Sequence, residues 1–179
     1  MGNVQNKLKK LNNNCIAYDN PYGFNLCNQP YALCTSGQCI ASDNPNIVTC
    51  NCPIESGCSM GTVDCSTLKP FTSNGVDYIY STFNPSQYFE KNMNSYKYPN
   101  NVNYASCLNQ ICTIDPSDPT NAICQCPLVN DNAPWLALGT NYNTDPNIYL
   151  SGTGYNTYKS ARKFFIPFGI RLPKKIINK

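Results

Sequence analysis

The chain has 179 residues, of which twelve are cysteine, none is histidine and 13% are charged. This length suits one domain or two very small ones, and the missing histidine excludes a Ser-His-Asp triad, a Cys-His nucleophile and a His-ligated zinc or haem. The net charge of +3 hides a segregation, because residues 1–10 and 159–179 carry ten basic side chains and no acid, whereas the residues between them carry ten acids and three lysines.

The N-terminal residues, MGNVQNKLKKLNNNC, form the first predicted segment, a basic arm. They contain no stretch of about 7–15 apolar residues, so we expect no secretory signal peptide. Gly2 is a candidate for N-myristoylation, since Lys7, Lys9 and Lys10 would supply the electrostatic signal that stable anchoring also needs. Asn6 stands where the acylation motif has Ser or Thr, and a disordered polar start is the alternative.

All the cysteines lie between residues 15 and 126, and an even, dense set of this kind predicts a disulfide framework. Disulfides need an oxidising compartment or a dedicated oxidase. Either a signal peptide has been removed, or the bridges form outside the standard secretory route. The predicted disulfide residues are Cys15, Cys27, Cys34, Cys39, Cys50, Cys52, Cys58, Cys65, Cys107, Cys112, Cys124 and Cys126.

Eight of these cysteines belong to a duplicated motif. Residues 34–53 read C-x4-C-x10-C-x-C-P, and residues 107–127 read C-x4-C-x11-C-x-C-P. The recurrence of four cysteines, a proline and a turn predicts a pseudo-symmetric pair of units. Spacing does not give the connectivity, but we expect each unit to close its own four cysteines, and Cys15 with Cys27 and Cys58 with Cys65 are close enough in sequence to pair.

Each unit has the pattern of a three-stranded meander, with turn-forming residues between short runs rich in β-branched and aromatic residues. Further strands are predicted over residues 77–83 and 147–151, and the one acceptable helix is Ser86–Met93. Cys50 and Cys52 are two residues apart, so they share one face of their strand. The predicted strands of the units are Tyr31–Thr35, Gln38–Ser42 and Ile47–Cys52, then Tyr104–Leu108, Ile111–Ile114 and Ala122–Leu128.

The fold class that follows is all-β, a small disulfide-rich domain of two pseudo-repeated three-stranded meanders with little helix. The domain covers residues 15–158, with repeat one at about 30–83 and repeat two at about 104–156. A basic N-terminal arm covers residues 1–14, and a basic, apolar C-terminal arm covers residues 159–179.

The C-terminal arm mixes Phe and Ile with Lys and Arg, and Pro167 and Pro173 bar a continuous helix. We expect an extended arm that buries its apolar residues in a groove of the same chain, of a neighbouring subunit or of a membrane interface. Solvated tails are the alternative for both arms. The candidate contacts to a partner or membrane are Lys7, Lys9, Lys10, Arg162, Lys163, Phe164, Phe165, Arg171, Lys174 and Lys175.

Metal binding and catalysis are weaker interpretations of the same residues. Cys50-x-Cys52 and Cys124-x-Cys126, completed by the C-x4-C pairs, are candidates for structural zinc sites with four cysteine ligands, although zinc knuckles usually have C-x2–4-C spacing. No C-x-x-C motif supports redox catalysis. The acidic residues are scattered in turn contexts. We therefore predict no catalytic residue, no resident metal and no cofactor.

The run from Cys107 to Cys126, CLNQICTIDPSDPTNAICQC, with Tyr31-Ala32-Leu33-Cys34-Thr35 before it, resembles an uncharacterised cysteine-rich family. This family is associated with secreted bacterial proteins and with large amoeba-infecting DNA viruses. The resemblance covers roughly residues 30–156 and implies no known activity, so no catalytic residue is carried over. The absent signal peptide and the basic C-terminal arm depart from the bacterial pattern and favour the viral setting.

The sequence thus predicts a non-enzymatic structural protein, a virion component such as a minor capsid, cement or virion-surface protein. Its expected partners are other virion proteins or an anionic membrane surface, with nucleic acid a weaker candidate and no small-molecule substrate. The alternatives are a secreted disulfide-rich binding module or inhibitor, and a structural zinc protein. The expected location is the virion, or otherwise an extracellular or oxidising compartment.

Overall fold

The computed structural model describes residues 15, 21–35, 37–84, 93–130, 132–139, 144–170, 172 and 177–178. Strands dominate these residues, which confirms the prediction of a small all-β, disulfide-rich domain. No helix among them is long and apolar enough to cross a membrane. The strands are β1 Asn25–Ala32, β2 Gln38–Ala41, β3 Ile47–Gly61, β4 Phe71–Ser73, β5 Val76–Tyr80, β6 Asn94–Tyr98, β7 Tyr104–Ala105, β8 Ile111–Ile114, β9 Asn121–Val129, β10 Trp135–Gly139, β11 Tyr149–Leu150, β12 Thr153–Gly154 and β13 Ile177–Asn178, and the helix is α1 Tyr155–Phe165.

The strands form two sheets. The larger sheet has nine strands in the order β11-β2-β3-β9-β8-β5-β4, with β1 paired to β3 and β7 paired to β9. The smaller sheet has the order β12-β10-β6-β13. The long strands β3 and β9 therefore lie at the centre of the larger sheet, and each carries the C-x-C motif of one repeat.

The two repeats are related by a pseudo-twofold axis between β3 and β9. The antiparallel register pairs Cys50 with Cys124, and on either side of this pair it places Val48 opposite Cys126 and Cys52 opposite Ala122. The same relation holds farther out, where Ala32 pairs with Ile54 on β3 and Ala105 pairs with Leu128 on β9. The two repeats that the sequence predicts thus pair their strands in the same way.

The first strand of each unit pairs differently from the simple hairpin that we expected. β1 ends at Ala32 and pairs with the second half of β3, and Cys34 lies in the turn that follows. The turn closes through a hydrogen bond from the Gly37 N–H to the Cys34 carbonyl oxygen. Cys34 therefore does not face Cys39 across a hairpin. The reason is that β1 and β2 do not pair with each other but with two different parts of the long strand β3.

The disulfide pairing within the repeats is confirmed, since each unit closes its own four cysteines. Outside the repeats, the suggested pairs Cys15–Cys27 and Cys58–Cys65 are wrong. The pairing of β1 with β3 places Cys27 opposite Ser59 and Asn28 opposite Cys58, so Cys27 and Cys58 point to opposite faces of this strand pair and cross-link to different segments. The six disulfides are Cys15–Cys58, Cys27–Cys65, Cys34–Cys52, Cys39–Cys50, Cys107–Cys126 and Cys112–Cys124.

The expected extended C-terminal arm is wrong over residues 159–165, which belong to helix α1 Tyr155–Phe165. Tyr158, Ala161, Phe164 and Phe165 are buried at helical spacing, and they pack with Leu136 in one apolar cluster. This burial stabilises the helix, although its sequence has weak helix propensity. Pro167 does end it, in a 3-10 turn.

Two further predictions change with this helix. Phe164 and Phe165 are 1% and 0% exposed, so they are core residues of the same chain and not contacts to a partner or membrane. The helix also crosses the boundary predicted at residue 158, because residues 159–165 complete its buried face. The predicted helix Ser86–Met93 falls almost entirely on residues 85–92, which lie outside the described part of the chain.

Candidate functional site

The centre of the molecule is a layer of eight cysteines on one face of the larger sheet, called here the cystine layer. Cys39, Cys50, Cys124 and Cys112 form a row across β2, β3, β9 and β8, since each is directly opposite the next in the strand register. Side chains alternate between faces along a strand, so the C-x-C spacing puts the second cysteine of each pair on the same face. All eight residues of the layer are at most 2% exposed.

The four disulfides of the layer touch one another across the pseudo-twofold axis. The Sγ atoms of Cys34 and Cys124 are 3.4 Å apart, and those of Cys50 and Cys107 are 3.6 Å apart. The axis exchanges these two contacts, because Cys34 corresponds to Cys107 and Cys124 to Cys50. The layer is therefore a compact sulfur core shared by both repeats, in place of the aliphatic core that a sheet of this size usually has.

The cystine layer also bears on the alternative of a structural zinc site, because its sulfurs lie close together. Three groups of three sulfurs in the described chain lie within 4.8 Å of one another, a spacing that suits a metal ion. In this structure every one of these sulfurs is bonded in a disulfide. A bonded cystine sulfur is not the thiolate that binds zinc, so a metal site here would need a reduced form of the chain.

A basic surface lies on α1 and the adjacent strand β6, and we call Lys97, Lys159, Lys163 and Tyr155 the basic helix face. The Nζ atoms of Lys97 and Lys159 are 5.4 and 4.9 Å from the centroid of the Tyr155 ring, so both ammonium groups lie near the same aromatic ring. Lys163 is one helical turn beyond Lys159 and is exposed. This surface concentrates positive charge on a rigid element and suits an acidic partner.

The predicted contact residues are only partly brought together. Lys163 belongs to the basic helix face, and Arg162 is half-buried beside it, with an Nε atom that has no hydrogen-bond partner in the described chain. The remaining basic contacts and the acylation candidate fall outside the described residues, namely Gly2, Lys7, Lys9, Lys10, Arg171, Lys174 and Lys175. Sequence reasoning missed Lys97, because it stands in the acidic middle of the chain and meets α1 only through the fold.

The carboxylates of the β8–β9 loop serve its turns. The Ser117 hydroxyl and N–H donate to Asp115 Oδ1 at 2.6 and 2.8 Å, and these bonds hold the pKa of Asp115 below its ordinary value. The Thr120 hydroxyl, 2.6 Å from Asp118 Oδ1, is the main cause of the lowered pKa of Asp118, helped by the side chain of Asn121. Hydrogen bonds that favour the charged form lower a carboxyl pKa.

The described residues form an apolar cavity and a wider cleft. An apolar cavity of about 100 Å³ adjoins the cystine layer at Cys34 and Cys107. A wider cleft of about 420 Å³ lies between residues 98–103 and 144–150, and Asp145 is the one carboxylate in the described lining of either space. Paired acids of the kind that a glycosidase uses therefore do not meet in the described part of these cavities.

The single tryptophan of the chain forms part of the wider cleft's wall, but it is a core residue. Trp135 is 1% exposed, and its ring stacks on Tyr98 at 4.3 Å and on Tyr104 at 5.0 Å between centroids. Its Nε1–H donates to the Val102 carbonyl oxygen at 2.7 Å. The ring faces are therefore occupied by protein.

Comparison with protein-family models, with curated proteins and with solved structures finds no match to this chain.

Proposed function

We propose that the protein is a non-enzymatic structural component of a particle, namely a virion protein of the minor capsid, cement or surface type. The observation that supports this most is the cystine layer, in which four disulfides occupy the centre of the sheet and each contacts a disulfide of the other repeat. Each disulfide contributes about 2–4 kcal/mol by restricting the unfolded chain. A cross-linked centre suits a protein that must persist outside the cell.

The basic helix face supports a docking role for the C-terminal region. Lys159 and Lys163 stand on a helix whose opposite side is anchored in the core by Phe164 and Phe165. The charges are therefore presented at fixed positions, and a fixed charge loses less entropy on binding than one on a free arm. An acidic face of a neighbouring virion protein is the partner that this arrangement fits.

The test is particle association of the full-length protein with a matched pair of charge reversals. In particles purified from the native source, the wild-type chain should sediment with the particle, and Lys159→Glu should lower its occupancy by tenfold or more. Lys69→Glu is the control, because Lys69 is also exposed and the charge change is identical. Equal losses for both variants would point to net charge alone and contradict docking through this face.

The second candidate is a secreted binding module, and the cleft of about 420 Å³ favours it, since that volume is in the range of ligand pockets. This alternative predicts a free monomer in the medium and no protein in the particle fraction. Intact mass under non-reducing conditions separates the zinc protein from both, because six disulfides lower the mass by about 12 Da relative to the reduced chain.

A further inference from the structure

The side of the larger sheet that faces away from the cystine layer carries an exposed surface, called here the outer face. Residues that alternate with the cysteines point outward along β2, β3, β9 and β8, and the pairing continues the face onto β5 and β4. Glu55 also points outward, but it lies farther along β3, where that strand pairs with β1. The outward residues of the outer face itself are uncharged. They are Gln38, Ile40, Thr49, Asn51, Phe71, Tyr78, Tyr80, Ile111, Thr113, Ile123 and Gln125.

The outer face collects much of the apolar surface of the molecule. The seven large hydrophobic residues that are most exposed in the described chain include Ile40 at 62%, Ile111 at 43%, Phe71 at 42% and Ile123 at 37%, and all four of these lie on this face. Exposed apolar residues are normal when scattered singly, but a contiguous apolar group marks an interaction site. Ile111 and Ile123 lie on adjacent strands beside Tyr80, Tyr78 and Phe71 and form such a group, whereas Thr49 and Gln125 separate Ile40 from it.

The pseudo-twofold relation shows that the fold itself does not require this apolar character. Ile123 of β9 corresponds to Thr49 of β3, and Ile111 of β8 corresponds to Gln38 of β2, so aliphatic and polar residues occupy matched positions of the two repeats. The inner face, in contrast, keeps all four cysteines in both repeats. The framework requires the cysteines, but it does not require the exposed isoleucines.

We propose that the outer face is the interface of a symmetric homodimer, in which two copies of this chain pack sheet against sheet. Side chains of β-branched residues on two such faces interdigitate when sheets stack about 10 Å apart. A face without charge brings no like charges together when it meets its own copy, whereas an acidic or basic partner would find no counter-charge there. A sugar ligand fits less well, because the Phe71 ring is already stacked on Tyr78 at 5.0 Å.

The area of the face agrees with a dimer of modest affinity. Six strands about 4.8 Å apart, whose paired stretches average about 17 Å in length, give a face of roughly 500 Å². Two copies would bury roughly 1,000 Å², which is at the lower limit of specific protein interfaces. We therefore expect a monomer–dimer equilibrium with a dissociation constant in the micromolar range, independent of the proposed role in a particle.

Sedimentation equilibrium of the oxidised, full-length protein from about 5 to 500 μM tests this inference. The wild type should show a monomer–dimer equilibrium, and Ile123→Lys should weaken it by tenfold or more, because it buries an unpaired lysine in each half of an apolar interface. Ile123→Thr, which introduces the polar residue of the first repeat, should weaken it less. Val102→Lys is the control, since Val102 is 39% exposed and lies in a loop away from this face.

Three results would overturn the proposal. A wild type that stays monomeric to 500 μM shows that the face does not self-associate. A dimer that Ile123→Lys leaves intact places the interface elsewhere, and equal weakening by Val102→Lys makes the effect one of net charge. Unchanged non-reducing mass and circular dichroism of each variant confirm that it folds, and Ile123→Thr provides a conservative variant if the lysine variant does not.

Discussion

At the scale of single residues, the packing around Trp135 depends on a glycine. A Cβ atom at Gly152 would meet the indole Cε3 and Cζ3 atoms at 2.5 and 2.7 Å and the Leu136 carbonyl oxygen at 3.0 Å. Trp135 cannot move away, because Tyr98 and Tyr104 stack on it. The close approach of this backbone to the ring therefore requires glycine.

We predict that Gly152→Ala lowers the free energy of unfolding by about 1–3 kcal/mol, since overpacking a rigid core strains its neighbours. Gly154→Ser is the matched control, because a Cβ at Gly154 meets only Tyr104 Oη at 3.8 Å. Serine at this position can also cap α1, so its stability should change by less than about 0.5 kcal/mol. Denaturant titration of the oxidised proteins measures both values, and an unchanged Gly152→Ala would contradict the prediction.

At the scale of elements, the β8–β9 loop shows how aspartate side chains fix consecutive turns through hydrogen bonds. Asp115 and Asp118 each accept bonds from a residue two positions later, which fixes two consecutive turns. The turn-forming residues between the predicted strands of the second unit predicted a turn here. The individual hydrogen bonds could not be predicted from the sequence, because the hydroxyl of Ser117 or Thr120 could equally have pointed to solvent.

These bonds lead to a prediction about acid stability. Because the pKa values of Asp115 and Asp118 are lowered from 3.8 in the fold, their contribution to stability is present above about pH 4 and is lost as the pH falls through the lowered values. The double variant Asp115→Asn/Asp118→Asn cannot titrate, so its melting temperature should decline less than that of the wild type between pH 5 and pH 2. Equal declines in the melting temperature of the variant and the wild type would show that these carboxylates do not contribute to the pH dependence of stability.

At the scale of the whole molecule, the disulfides fall into two classes by burial. Cys15 and Cys65 are half-buried, so the two disulfides outside the repeats each have one accessible partner. The eight cysteines of the cystine layer, in contrast, are all buried. The fold therefore has a protected sulfur centre and two peripheral cross-links, one of which ties Cys15 to the core of the domain.

This difference predicts the order of reduction. With limiting dithiothreitol, Cys15–Cys58 and Cys27–Cys65 should open first, because thiol–disulfide exchange needs access to a sulfur. Alkylation followed by peptide mass mapping should label these four cysteines before any of the eight in the layer, and the partly reduced protein should keep its β-sheet circular dichroism. Labelling of the layer at the same rate would show that the whole fold opens at once.

Local features of this protein could be predicted from the sequence alone. The repeated spacing gave the closed set of cysteines in each unit, and the period of two along a strand placed Cys50 and Cys52 on one face. The strand Ile111–Ile114 has the predicted bounds. These features depend on residues within about 20 positions of one another, where turn chemistry and alternation decide the outcome.

The tertiary structure alone decided everything that joins distant segments. The partners of Cys15 and Cys27 are 43 and 38 residues away, so these pairs form only when distant segments meet in the fold. Helix α1 exists because its apolar face is buried, which tertiary packing and not local propensity provides. The meeting of Lys97 with Lys159, the sulfur contacts across the pseudo-twofold axis and the charge-free outer face all arise in the same way, since side chains far apart in sequence become neighbours only when the sheets are assembled.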